Sequence, residues 1–249
     1  MGSKTTTPAS FSRIQSPRRR GARAAAAVAI AALALTACSS GGGNEPDPEA
    51  SYSQDQLITA LNSVEVDGQT LTAEAMDQES AGTQMDDIEQ ALEQATIEPS
   101  QCKDLVKAAL DSSSGHVENI VVATPSGGKF AVSAMPLGSG DEATEHAKNA
   151  NQQNEDCQDF TMELMGSKIE ATIEPRDIEV DNGSEASIMD MTMDMGGQSN
   201  KMTQASAVVG NTFVVVSGQG ASGESESASS ETPDIEAILQ ESANKISEQ

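Results

Sequence analysis

Tryptophan is absent from this chain, and only one Tyr and four Phe occur among its 249 residues. Any hydrophobic core must therefore be assembled from Val, Ile, Leu, Met and Ala, with Met the usual filler of irregular gaps. Histidine is almost as scarce. His116 and His146 are the only two, too few for a histidine metal cluster, and no Ser-His-Asp arrangement can be placed around them. No apolar run reaches the roughly twenty residues that a membrane-spanning helix requires. The longest, Ala24 to Leu35, is mostly alanine and ends at Thr36. Positive charge is scarce over most of the chain, with eight of the 14 basic residues spread over the 212 that follow residue 37. Lys4, Arg13, Arg18, Arg19, Arg20 and Arg23 stand among the first 37 residues, which hold none of the 39 acidic ones; the whole carries a formal charge of −25. So acidic a remainder argues against nucleic acid as a partner and against lying flat on anionic lipid, because both would repel it.

What is present begins with a boundary. A basic segment, an apolar run of about a dozen residues and small residues before Cys38 have the three-part form of a cleavable signal. Leu35-Thr36-Ala37-Cys38 resembles the lipobox of bacterial lipoproteins at all four positions. The resemblance implies a thioether-linked diacylglycerol on Cys38, cleavage just before it, and Cys38 as the mature N-terminus. It also implies residence at the extracytoplasmic face of the cell membrane, with membrane lipid as a partner. Two or more acyl chains hold a protein stably, where one gives only marginal binding. Arg18-Arg19 lacks the apolar residues that twin-arginine export would require next. The chain then divides into a signal peptide at 1–37, a flexible Gly- and Pro-containing tether at 38–52 and a single domain at 53–249. Within that domain, a Gly-, Ser- and Glu-rich insert near 218–231 has too few apolar residues to fold alone, and is expected to be disordered. In an exported chain, Cys102 and Cys157 read most simply as one disulfide. A reactive thiol would need a lowered pKa, and only Lys103 and Lys107 hint at one.

The patterning of the domain alternates between the two regular periods. Ser53 with Gln56 is a capping box before Leu57, Ile58 and Leu61. Met85, Ile88, Leu92 and Ala95 recur at helical spacing. Ser100, after the breaker Pro99, should cap a helix whose inner face is Cys102, Leu105, Val106 and Ala109. Runs from Val117 to Thr124 and from Lys129 to Leu137 flank a Pro125-Ser126-Gly127-Gly128 turn, which reads as a hairpin. Ala143, Ala147, Ala150 and Asn154 mark one side of a helix over 141–156 that delivers Cys157 toward Cys102. A second hairpin follows around Gly166-Ser167, then an alternating stretch from Ala186 to Met195, and a last hairpin around Gly210-Asn211. Thr232-Pro233 should open an amphipathic helix through Ile235, Ile238, Leu239, Ser242 and Ile246. Together these elements predict an α+β domain, an antiparallel sheet of hairpins covered by helices on one face.

That order of elements resembles the extracellular sensor domain of actinobacterial Ser/Thr kinases and of lipoproteins sharing the module. The features that carry it are Pro99-Ser100-Gln101-Cys102 opening a helix, the Ala-marked helix ending at Cys157, the Val-rich strand after Gly210-Asn211 and the terminal helix. The resemblance implies a groove-bearing binding or sensing module and no catalytic set.

Candidate chemistry is sparse. Met189, Met191, Met193 and Met195 share one face if they lie on a strand, with Asp190, Thr192 and Asp194 on the other; Met162, Met165 and Met202 could lie nearby. Clustered thioethers bind Cu(I), yet residues two apart on a strand are about 6.6 Å apart, too far for one ion without neighbours. Packing is the simpler role for them. Ser100 with Lys103, and Ser242 with Lys245, each match a Ser-x-x-Lys spacing, but no Lys-Thr-Gly or Ser-Asp-Asn accompanies either. Asp181, Asn182, Gly183 and Glu185 lack the spacing of a calcium loop and read as a turn. Gly127-Gly128-Lys129 lacks the rest of a P-loop. The expectation is a lipid-anchored, extracytoplasmic, non-enzymatic protein that binds an unidentified small molecule, envelope component or protein partner. No catalytic residue, cofactor or metal ligand is assigned. Two rivals stay open: a Cu(I)-binding envelope lipoprotein built on the Met strand, and a structural envelope lipoprotein without a ligand.

Overall fold

The computed structural model describes residues 49–114, 119–164, 166–219 and 233–249. Cys38, the expected signal segment, His116, Met165 and Thr232 lie outside the described residues, as does 220–232 of the Gly/Ser/Glu segment. The first half of the domain runs α1 (Gln54–Asn62), β1 (Glu65–Val66), β2 (Gln69–Thr70), β3 (Thr72–Ala75), α2 (Gln78–Gln94), β4 (Thr96–Glu98) and α3 (Ser100–Ser114). It continues with β5 (Val121–Thr124), β6 (Phe130–Pro136), α4 (Gly140–Asp156), β7 (Asp159–Leu164) and β8 (Ser167–Asp177). The long strands β9 (Ser184–Met195), β10 (Gln198–Val209) and β11 (Thr212–Gln219) precede the closing helix α5 (Ile235–Ser247). Among the described residues nine strands pair into one sheet, in the order β3-β5-β6-β11-β10-β9-β8-β7-β4. Every pairing in it is antiparallel.

Alternation along the central strands explains how the sheet is covered. Successive side chains point to opposite faces. On one face, Val132, Ala134, Ala205, Ala207, Val209, Val214 and Val216 pack with Leu57 and Leu61 of α1 and with Ile238, Leu239 and Ile246 of α5. These helical side chains are at most 1% exposed, and burying each stabilises the fold by about 1.5–3 kcal/mol. The fold is thus α+β, a large antiparallel sheet with helices packed on one face. The alternate residues Met135, Val208 and Phe213 belong to a second cluster with Ala143 and Ala147, so α4 lies against the reverse of the same strands. His146 of α4 meets Phe213 edge-on there, with ring centroids 4.9 Å apart.

Local chemistry sets the helix boundaries. The capping box holds at α1: the Gln56 amide oxygen accepts from the Ser53 N–H at 3.0 Å, and the Ser53 hydroxyl accepts from the Gln56 N–H. Ser139 caps α4, and Asp141 and Glu142 in its first turn suit the positive end of the helix dipole. Two expected boundaries differ. The cap of α5 is Asp234, whose carboxylate accepts from the Ala237 N–H at 3.1 Å, so Pro233 precedes the helix instead of opening it. Ser100 is the first residue of α3 and not a residue preceding it. The Gly210-Asn211 turn has a further task. The Asn211 side chain accepts from the Tyr52 N–H at 2.8 Å and donates to the Leu137 carbonyl at 2.9 Å. Its backbone N–H donates to the Ala50 carbonyl at 2.8 Å, so the start of the domain is stitched onto the β10–β11 turn. Gly210 permits this approach: its φ is +56°, and a Cβ there would lie 2.8 Å from the Tyr52 ring.

Candidate functional site

The outer half of the sheet, β7 to β10, keeps one apolar face without a helix over all of it. The register fixes which residues share that face, since directly paired residues point the same way. Ile173 pairs with Met191 and Met191 with Met202; Ala171 pairs with Met193, Ile169 with Met195, and Pro175 with Met189. On the other side of β8, Phe160 pairs with Ala171 and Met162 with Ile169. The result is a floor of thioethers, aliphatic groups and the Phe160 ring, interrupted on β10 by Asn200 and Gln204. Ala171 and Ile173 are buried, Met189, Met191, Met193, Met202, Ile169, Phe160 and Met162 are half-buried, and Met195 is 46% exposed.

Two borders frame the floor. At one end α4 crosses the sheet, where the Ser187 hydroxyl donates to Asn151 at 2.7 Å and lies 3.2 Å from the Ser206 hydroxyl. A small pocket of about 100 Å³ there is lined by Asn151, Asn154, Pro175 and Met189 among others. Along the β7 side a third cluster joins Ile97, Leu105, Phe160, Met162 and Leu164 around the buried Cys102 and Cys157. Those two cysteines are disulfide-bonded, with Cα atoms 5.6 Å apart, tying α3 to the end of α4. The reverse of this half-sheet is polar: Glu170, Thr172, Glu174, Asp190, Thr192 and Asp194 occupy the alternate positions. Lys168 and Glu170 form an exposed pair there at 2.7 Å. The hydrogen bond from Lys168, and then its charge, hold the Glu170 carboxyl below the ordinary range. The same bond and the Glu170 charge raise Lys168.

The other residues singled out in the sequence have structural employment. Lys103 donates to the Ala95 carbonyl at 2.7 Å and to the Glu93 carbonyl at 3.4 Å, closing the end of α2. Ser242 is fully buried and its hydroxyl donates to the Ile238 carbonyl one turn back, while Lys245 pairs with Glu241 and Glu248 at the surface. Neither Ser-x-x-Lys set forms a nucleophile beside a base. Asp181 and Asn182 form a turn docked on α5, where the Gln240 side chain bonds the Asp181 N–H and carbonyl and Asn182 donates to Asn244. Among the described residues no group of three or more His, Cys, Asp or Glu is placed to hold a metal ion. Among them, too, no helix is long and apolar enough to cross a membrane. Sequence reasoning grouped Met189 to Met195 on one face but did not see β10 arriving opposite. The polar Gln198 to Gln204 segment carries no strand signal beyond the Gly196-Gly197 turn that opens it.

No protein-family model matches the chain, and no curated protein matches it. Two solved structures are weakly similar. One is an uncharacterised protein from Mycobacterium smegmatis, the Rv0999 orthologue, with a TM-score of 0.43 and 13% identity over 77% of this chain and 96% of that one. The other is the extracellular domain of PknH from Mycobacterium tuberculosis, with a TM-score of 0.39 and 12% identity over 83% of this chain and all of that one. Both likenesses are partial in coverage and concern the path of the chain alone.

Proposed function

We propose that this chain is a lipid-anchored protein of the extracytoplasmic face that binds a ligand without transforming it. In this reading residues 1–37 are removed, Cys38 carries the acyl chains, and the stretch from there to about Glu49 holds the domain, which begins at the Ala50–Tyr52 contacts with Asn211, off the membrane. What supports the anchor is the sequence at Leu35-Thr36-Ala37-Cys38, fed by a basic segment and an apolar run. What supports the compartment is the Cys102–Cys157 bond, of a kind that persists in oxidising surroundings. The observation that carries the binding role is the half-exposed apolar floor over β7 to β10. A fold held only for its own stability gains by covering such a face, and apolar surface left uncovered suits an apolar partner. The commitment of Ser242, Lys103 and Lys245 to structural bonds favours binding over catalysis.

Native mass spectrometry of the protein purified from its own membranes tests this reading. The expected result is a retained apolar adduct that disappears in a Met191→Lys variant of unchanged thermal stability. A protein that carries no adduct and takes up none from a whole-cell lipid extract would contradict it.

A further inference from the structure

We propose that Met191, Met193 and Met202 form a thioether site for a soft monovalent cation, Cu(I). A single strand places its thioethers about 6.6 Å apart, too widely for one ion. The partner strand removes that obstacle. Met202 stands directly across from Met191, where paired side chains start about 4.5–5.5 Å apart, and diagonally from Met193 at about 7–8 Å. Three flexible side chains on such a triangle can bring their sulfurs to one point above it, since each has three rotatable bonds.

The surroundings favour a soft ion over a hard one. The residues paired with the triad on this face are Ile173, Ala171, Asn200 and Gln219, none of them charged. No carboxylate or imidazole stands at these paired positions to favour a hard ion, whereas thioether ligands select Cu(I). The three side chains are also half-buried instead of sealed in a core, which leaves an entry path. The proposal shares its floor with the apolar-ligand reading but depends on sulfur alone, and Leu keeps the floor while removing the sulfur.

The test uses the mature protein, acylated at Cys38 so that no free thiol competes for the metal, labelled with ¹³C in its methionine methyl groups and titrated with Ag(I), the redox-inert counterpart of Cu(I). No thiol reductant is added, so the disulfide stays closed. Methyl signals of Met191, Met193 and Met202 should shift and saturate together at one equivalent, while buried Met135, in the α4 cluster, stays fixed. Competition with a chromophoric Cu(I) chelator should then show the Met191→Leu/Met193→Leu/Met202→Leu variant weakened about 100-fold, since losing even an outer partner of a metal ligand costs 10–100-fold. The apolar adduct of the preceding section should survive in the same variant. Absence of shifts in the three signals, equal shifts at Met135, or an affinity unchanged in the triple variant would each overturn the proposal.

Discussion

Asn211 is only 5% exposed, yet both ends of its side-chain amide are bonded across the chain, to Tyr52 and to Leu137. Asn211→Ala leaves a buried N–H and a buried carbonyl without partners, each costing about 1–3 kcal/mol. Chemical denaturation should show a loss of about 3 kcal/mol, with the Ala50 to Tyr52 amides becoming the first to exchange with solvent. At the exposed Lys168–Glu170 pair the signs of the shifts give a pH window. Glu170 is lowered, so its part of the pairing is present above the ordinary glutamate range and lost as pH falls through the lowered value. Lys168 is raised, so its part is present below the ordinary lysine range and lost as pH rises through the raised value. An NMR titration should place the Glu170 midpoint below that of a free glutamate, and Lys168→Gln should return it to the ordinary range. A midpoint that does not move in the variant would remove Lys168 as the cause.

At the scale of elements, legibility followed the strength of the local signal. The α1 cap, the Ala-marked side of α4 and the Val-rich β11 were readable because one turn chemistry or one period dominates each. Both α4 and α5 bury the positions their spacing marks, though Ala150 and Asn154 of α4 are only half-buried. The short edge strands β3 and β4 were not readable, since four and three residues define no period and their pairing with β5 and β7 comes from distant sequence. The first half of β10 escaped for another reason: Asn200 and Gln204 lie on the floor beside the methionines, so polar residues sit where alternation expects apolar ones. The half-open floor was legible as a Met face and a rival Cu(I) strand, but its exposure was not, because that depends on where α4 stops. The Cys102–Cys157 bond couples α3 to α4 across 55 residues. In the chain-entropy view it contributes about 4 kcal/mol through the unfolded state. A Cys102→Ala/Cys157→Ala variant should lose up to about that much in urea unfolding, with the β7 border of the floor loosening first in hydrogen exchange. An unchanged midpoint would show that packing of Ile97, Phe160 and Met162 suffices.

For the whole molecule, charge and attachment belong to one account. In the proposed reading the acidic domain, repelled by anionic lipid, is kept near the membrane by a covalent hold and a spacer. The stitching of Ala50 and Tyr52 to Asn211 marks where the spacer would end and the domain begin. Replacing Cys38 then separates attachment from folding. Cys38→Ala should appear in the soluble fraction, with a domain as stable as the parent. The most direct measurement is mass spectrometry of the N-terminal peptide from protein extracted out of its own membranes. The account predicts a chain that starts at Cys38 and carries acyl groups on that residue. A chain that still begins at Met1, with an unmodified Cys38 thiol, would contradict it.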